Sequence, residues 1–137
     1  MATHIRRVYY YNMTVRDRPG EAYKTLMRLK EMGVNLLGFA AFPVGPINTR
    51  LTLFPDDSGR LAHEAKQREL SVDGPYPCLL VQGDDELGAL VGIHEKLYQA
   101  NVNVYASTCV ADGRGGYGYI LYIRPDKFDT ACKALGV

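Results

Sequence analysis

The sequence predicts an α+β fold built from two similar halves. The order strand, helix, strand, strand, helix occurs twice along the 137 residues. A single ungapped offset places Asp17 on Asp85, Gly20 on Gly88 and Val34 on Val102. Apolar content of 47% and charged content of 23% are typical of a globular protein. Because the matching residues lie where a helix begins or ends, they indicate a duplicated unit.

In the first half, residues 8–15 form a predicted strand rich in tyrosine, and Pro19 opens a helix that ends before Gly33. The apolar stripe of this helix is expected to be Ala22, Leu26, Leu29 and Met32. Strands over 34–42 and 49–54 follow, and then a polar helix over 60–69. The strand over 34–42 is apolar on both faces, which indicates two covered faces or an interface.

The second half repeats this order after a turn-rich boundary at 71–77. We expect one domain over 1–74 and another over 75–137. The predicted elements are a strand over 78–81, a helix over 87–100, strands over 102–110 and 117–123, and a helix over 127–135.

A βαββαβ unit forms a four-stranded antiparallel sheet with both helices on one face, the ferredoxin-like arrangement. Each half here is one strand short. Residues 70–74 could complete the first half, and residues 4–8 could supply the missing edge strand of the second. The sequence therefore predicts two ferredoxin-like halves, with the hypothesis that they exchange edge strands.

Composition excludes several classes of function. A net charge of +1 argues against nucleic-acid or membrane binding driven by overall charge. No apolar run is long enough to span a bilayer, and residues 1–7 lack the apolar core of a signal peptide. Cys78, Cys109 and Cys132 have no metal-ligand spacing, so we expect them to be reduced and buried in a cytoplasmic protein without metal or cofactor.

Two motifs of the first half stand out, the stretch from Asp17 to Glu21 with its Arg-Pro-Gly and the helix exit Gly33-Val34-Asn35. In these motifs the chain resembles a tandem ACT-domain protein. The second copy, from Asp85 to Gly88 and at Asn103, is a weaker match. The resemblance implies a non-catalytic regulator that binds a small effector, most often an amino acid, where two domains meet. With no effector domain attached, its output would act in trans on a separate enzyme or regulator.

The resemblance also implies which residues hold the ligand. They are Asp17, Arg18, Pro19, Gly20 and Asn35 from the first copy, and Asp85, Gly88 and Asn103 from the second. A helix N-terminus suits a carboxylate, a carboxylate suits an ammonium group, and an Asn amide both donates and accepts. We expect a homodimer that pairs through the apolar second strands.

The two loops differ in charge. Arg16 and Arg18 flank Asp17, whereas Asp84, Asp85 and Glu86 form an acidic cluster. We therefore expect the first loop to keep the carboxylate site, and the second to be degenerate or adapted to a cationic group.

Other interpretations stay open. Asp17 could simply cap the helix, and Asn35 and Asn103 could only satisfy turn backbone. The stretch from Gly113 to Gly118 fits a dinucleotide-binding pattern, but a strand rather than a helix follows it. Base stacking on sheet tyrosines and a small enzyme are further alternatives without a supporting signature. The main competing function is an assembly module that has lost ligand binding.

Overall fold

A computed structural model describes residues 3–137 and shows an α+β protein. Six strands are hydrogen-bonded in the order β2-β3-β1-β4-β6-β5. The pairs β1–β3, β2–β3, β4–β6 and β5–β6 are antiparallel. The predicted α+β class is confirmed. The elements in chain order are β1 (His4–Arg16), α1 (Glu21–Glu31), β2 (Leu36–Val44), β3 (Asn48–Pro55), α2 (Ser58–Gln67), β4 (Asp73–Asp84), α3 (Val91–Gln99), β5 (Ala106–Ala111), β6 (Gly116–Tyr122) and α4 (Pro125–Leu135).

The chain divides into two compact units, one of which combines two separate segments of the sequence. The first unit is Tyr9–Pro77, and the second joins residues 3–8 to Cys78–Val137. Ile5 packs against the core of the second unit, and the Arg7 guanidinium donates to the Val137 carbonyl at 3.2 Å. The start of β1 thus joins the second unit, as the hypothesis of an exchanged edge strand requires.

The first unit buries one face of α1 and α2 against its strands. Tyr11 is 2% exposed, and its hydroxyl lies 3.0 Å from the Ser58 carbonyl at the start of α2. Leu70 and Val72 pack against the same core from the segment before β4. The buried members are Tyr11, Leu29, Met32, Val34, Leu51, Leu53, Leu61 and Ala65.

The predicted stripe of α1 is wrong at Leu26, which is 39% exposed. Thr25 takes the buried position, and its hydroxyl donates to the Glu21 carbonyl at 3.2 Å. Thr25, Leu29 and Met32 are spaced i, i+4 and i+7, which is also one helix face. Sequence reasoning preferred Leu26 because it is more apolar, although the hydroxyl of Thr25 can be satisfied within the helix.

In the second unit, α3 and α4 cover β4 and β6. Ile93 and Leu97 lie on the buried face of α3, and Phe128 and Ala131 on that of α4. The predicted helix over 87–100 is too long, because α3 begins only at Val91. Residues 87–90 form turns in which Gly88 has φ +73°, a left-handed conformation that interrupts a helix.

The cysteines are free, but they are not all buried. Cys78 and Cys132 are buried, whereas Cys109 on β5 is exposed, so the expectation of a buried thiol is wrong there. Burial raises the pKa of the Cys78 thiol to about 12, which leaves it protonated and unreactive near neutral pH. Among residues 3–137, no helix is long and apolar enough to cross a membrane.

Candidate functional site

The first loop is a tight turn that leads directly into α1. The Glu21 amide lies 3.5 Å from the Arg18 carbonyl, and Gly20 has φ 89° and ψ −9°. A proline at the second position is common in a type II turn, and the third position requires a positive φ, which glycine adopts readily. Pro19 therefore lies in the turn before the helix, and not in its first turn as the sequence suggested. Gly20 is the N-cap residue itself.

The interpretation of Asp17 as a helix cap does not agree with the structure. Helix α1 has no side-chain cap at its N-terminus. Instead, the backbone amide of Asp17 donates to the Ile47 carbonyl at 2.8 Å, which ties the loop to the β2–β3 hairpin. The first hydrogen bond of the helix runs from the Lys24 amide to the Gly20 carbonyl, so earlier amides of the first turn lack helical acceptors.

Glu21, the first residue of α1, is a charged neighbour of this loop and was not among the predicted site residues. Its carboxylate lies 3.1 Å from Nε of Arg18 and 3.5 Å from Nζ of Lys24. The i, i+3 spacing of both pairs is visible in the sequence and could have revealed them. Because Arg18 is paired, its charge is partly neutralised, and Arg16 is the other cation beside Asp17.

The hydrogen bond from Arg18, with help from the charge of Lys24, lowers the pKa of Glu21 below its ordinary value of 4.5. A carboxyl group whose pKa is lower in the folded protein than in the unfolded chain stabilises the fold at pH values above its unfolded-state pKa. This stabilisation is lost as the pH falls through the folded-state pKa. We expect a carbon-detected NMR titration to place the Glu21 midpoint below 4.5, and Arg18→Gln to raise it. A midpoint that Arg18→Gln leaves in place would contradict the assigned pairing.

Asn35 lies at the opposite end of α1 from the loop. The helix has 11 residues, a length of roughly 16 Å at about 1.5 Å per residue. The Asn35 carbonyl accepts from the Asp56 amide at 2.9 Å, and its side chain is exposed. A small ligand cannot reach both ends of this helix, so Asn35 and the loop of one unit do not form a common site. Asn103 likewise lines a separate cavity of about 220 Å³, with Tyr98, Asn101 and Val102.

The second loop borders a larger cavity of about 360 Å³. The predicted residues Asp85 and Gly88 both line it, together with the start of α3 and the β5–β6 hairpin. Its lining is Asp85, Glu86, Gly88, Ala89, Leu90, Val91, Cys109, Ala111 and Tyr117. A volume of this size lies within the usual range of small-molecule sites.

Cys109 and Tyr117 belong to this cavity, although sequence reasoning did not select them. Tyr117 pairs with Ala111 across β5–β6, and Cys109 lies two residues from Ala111 on the same face of the strand. The hairpin turn between β5 and β6, which contains Gly113 and Gly115, sets this register, as the sequence suggested. The pairing of β5 with β6 was the signal that could have identified Cys109 and Tyr117.

The cavity has a negative electrostatic environment. Burial and the nearby Asp85 raise the pKa of Cys109. Burial raises the pKa of Tyr117, and the charges of Cys109, Asp84 and Glu86 add to this effect, opposed by a hydrogen bond with Thr3. The ring of Tyr117 also covers Gly83, where an added Cβ would lie 3.0 Å from the hydroxyl oxygen. Two carboxylates and a fixed tyrosine therefore surround a space that favours a cationic group.

The N-terminus of α3 supplies donors to the same region. The helix begins its hydrogen bonding with the His94 amide donating to the Leu90 carbonyl at 3.2 Å. The amides of Gly92 and Ile93 therefore have no helical acceptor. These two amides can donate to a polar group of a ligand in the cavity.

Comparisons with known proteins give matches in structure only. No family model matches the sequence, and no curated protein matches it. A protein of Bacteroides thetaiotaomicron superposes with a TM-score of 0.79 at 12% identity, covering 96% of this chain and 88% of its own. The ligand-free regulatory subunit of aspartate kinase from Thermus thermophilus gives 0.63 at 11% identity, covering 98% and 94%. Aspartokinase III of E. coli, in complex with lysine and aspartate, gives 0.53 at 13% identity, covering 99% and 32%.

At 11 to 13% identity these likenesses establish the architecture alone. They agree with the α+β class described above. The chain has an ACT-like fold.

Proposed function

We propose that this chain is a non-catalytic regulatory protein of the cytoplasm that binds a small molecule, an amino acid, and acts in trans on a separate enzyme or regulator. The observation that supports this most strongly is the cavity of about 360 Å³ at the second loop. It lies at the second copy of the loop, which is expected to be degenerate or adapted to a cationic group, and it includes Asp85 and Gly88. The solved structures that share the fold include a regulatory subunit of aspartate kinase.

The charges favour a ligand with an ammonium group at the second loop. Asp85 and Glu86 line the cavity, and their charges would repel a carboxylate placed beside them. The E. coli aspartokinase III structure contains lysine and aspartate. Lysine carries a second ammonium group, so we expect it to bind the second loop in preference to aspartate.

The first loop is the complementary site for a carboxylate. Gly20 has φ +89°, and an added Cβ there would meet no atom within 4 Å. A ligand can therefore approach the backbone amides at the start of α1, and Arg16 adds positive charge there, whereas the charge of Arg18 is partly neutralised by Glu21. Asn35 and Asn103 would not contribute to the loop site of their own unit.

Replacing each loop glycine tests this assignment. Gly20 and Gly88 both have positive φ, so Gly20→Leu and Gly88→Leu are matched in backbone strain. We expect calorimetric titration with lysine to show a weaker affinity for Gly88→Leu than for Gly20→Leu, because the acidic cavity lies at Gly88. Circular dichroism would confirm that both variants remain folded. Equal losses of affinity would contradict the predicted asymmetry between the loops.

Regulation would require a partner or a second copy whose association depends on the ligand. A ligand shifts an equilibrium only as far as its affinities for the two states differ. Strands β2 and β5 end the hydrogen-bonded order, and each residue of β5 is exposed. We therefore propose a homodimer that pairs through these apolar edge strands.

A single charge introduced on the edge strand β5 should weaken the proposed dimer. Val110 on β5 is 69% exposed, and we expect Val110→Lys to lower the dimer fraction in sedimentation velocity, since an edge lysine opposes strand pairing. Tyr23→Lys on α1, at a residue 68% exposed, is the matched control and should leave the dimer unchanged. A wild-type protein that sediments only as a monomer would contradict the dimer.

The same open edges favour the second candidate function, an assembly module that no longer binds a ligand. An exposed edge strand is a template for pairing with another chain. This alternative predicts dimerisation, or capture of a partner, that no amino acid changes.

A further inference from the structure

A further cavity, with a mostly polar lining, lies within the first unit and shares no residue with either loop. Its volume is about 400 Å³, which is also in the range of small-molecule sites. It opens between the end of β1, the neighbouring β3, and the segment that leads into β4. The lining residues are Asn12, Met13, Thr14, Arg50, Ser71, Val72 and Asp73.

The cavity contains one charge of each sign. Arg50 lies directly opposite Thr14 in the β1–β3 ladder, so the two side chains project from the same face of the sheet. Arg50 is exposed and takes part in none of the ion pairs found among residues 3–137. Asp73 supplies the carboxylate from the first residue of β4.

Two of the polar side chains are held in place by neighbours outside the cavity lining. The Tyr76 hydroxyl donates to Oδ1 of Asp73 at 2.7 Å, which leaves Oδ2 able to accept from a ligand. The Thr52 hydroxyl donates to Oδ1 of Asn12 at 2.8 Å, which leaves the Asn12 amide as a donor. Polar groups fixed before binding lose little conformational entropy when a ligand arrives.

We propose that this cavity is a binding site for a small zwitterion, an α-amino acid, distinct from the sites at the two loops. The Arg50 guanidinium would pair with the ligand carboxylate, and Asp73 would accept from its ammonium group. The Asn12 amide and the hydroxyls of Thr14 and Ser71 would donate further hydrogen bonds to the ligand carboxylate. Asp73 would repel an anion that lacks an ammonium group, and Arg50 would repel an amine that lacks a carboxylate. The cavity therefore favours a ligand that carries both charges.

The test is amide chemical-shift mapping of the full-length protein with each of the twenty amino acids, and with acetate and methylammonium as single-charge probes. We expect at least one amino acid to shift the amides of residues 12–14, 50 and 71–73 saturably, and both single-charge probes to leave them in place. Arg50→Gln and Asp73→Asn should each raise the Kd of that amino acid by about tenfold or more. Arg28→Gln, an exposed arginine on α1, is the matched control and should leave the Kd unchanged.

The possible outcomes separate this proposal from the proposed function. Saturable shifts confined to residues 17–20 or 85–91 would overturn the zwitterion site and leave the loop sites standing. Saturable shifts confined to this cavity would support it and overturn the loop sites, and no shift with any amino acid would overturn both. An equal loss in Arg28→Gln would show general electrostatic attraction and overturn the site. Asp73→Asn is nearly isosteric, so it decides the matter if Arg50→Gln fails to fold.

Discussion

Gly74→Ala should lower the free energy of unfolding by about 2–4 kcal/mol. An added Cβ at this position would lie 2.8 Å from the Tyr10 carbonyl oxygen and 2.9 Å from Cδ2 of Tyr11. Both contacts are shorter than van der Waals distance, and Tyr11 is 2% exposed, so its ring has little room to move. The backbone φ of +145° adds strain, because side chains rarely adopt it. Urea denaturation would measure the loss.

Gly45→Ala is the control for this change. Gly45 also has a positive φ, of +72°, but an added Cβ would meet no atom within 4 Å. We expect it to cost about 1–2 kcal/mol, the cost of a left-handed residue alone. If both variants lost the same stability, the steric part of the explanation at Gly74 would be wrong.

The second large effect concerns the buried face of α1. Leu29 is 1% exposed and contacts the core of the first unit, so Leu29→Ala should lower the free energy of unfolding by about 2–5 kcal/mol. Leu26→Ala removes the same atoms from a side chain that is 39% exposed, and should cost less than about 1 kcal/mol. Urea denaturation of the two variants measures both values.

The comparison decides between two assignments of the helix face. Spacing and apolar character alone selected Leu26 for the core, whereas the structure gives that position to Thr25. Comparable destabilisation by the two alanine variants would show that Leu26 is buried in solution and that the structural assignment is wrong.

Local sequence patterns were sufficient for most of the architecture. The α+β class, the helix stop at Gly33 and the hairpin turn after Gly113 follow from glycine conformation and from apolar periodicity. The start of α3 was placed too early, at residue 87, although Gly88 matches Gly20 in the repeat. Gly20 directly precedes its helix as the N-cap, whereas Gly88 lies within turns before Val91.

The residues that line the cavities were harder to predict from the sequence than the fold. Asp85 and Gly88 were predicted because they match Asp17 and Gly20 in the sequence repeat. Both line the cavity at the second loop. Cys109 and Tyr117 come from strands about 20 to 30 residues further along, and only the hairpin register brings them together. Arg50 and Asp73 belong to no motif at all. Their proximity depends on long-range packing within the first unit, which residue spacing does not encode.

A thermal-shift screen of the wild-type protein with the twenty amino acids tests the central claim most directly. Binding at 100 times Kd should raise the free energy of unfolding by about 2.7 kcal/mol. The proposed function predicts saturable stabilisation by at least one amino acid, with lysine the first candidate from the acidic second loop. A flat response at saturating concentrations of all twenty would contradict it and favour an assembly module without a ligand.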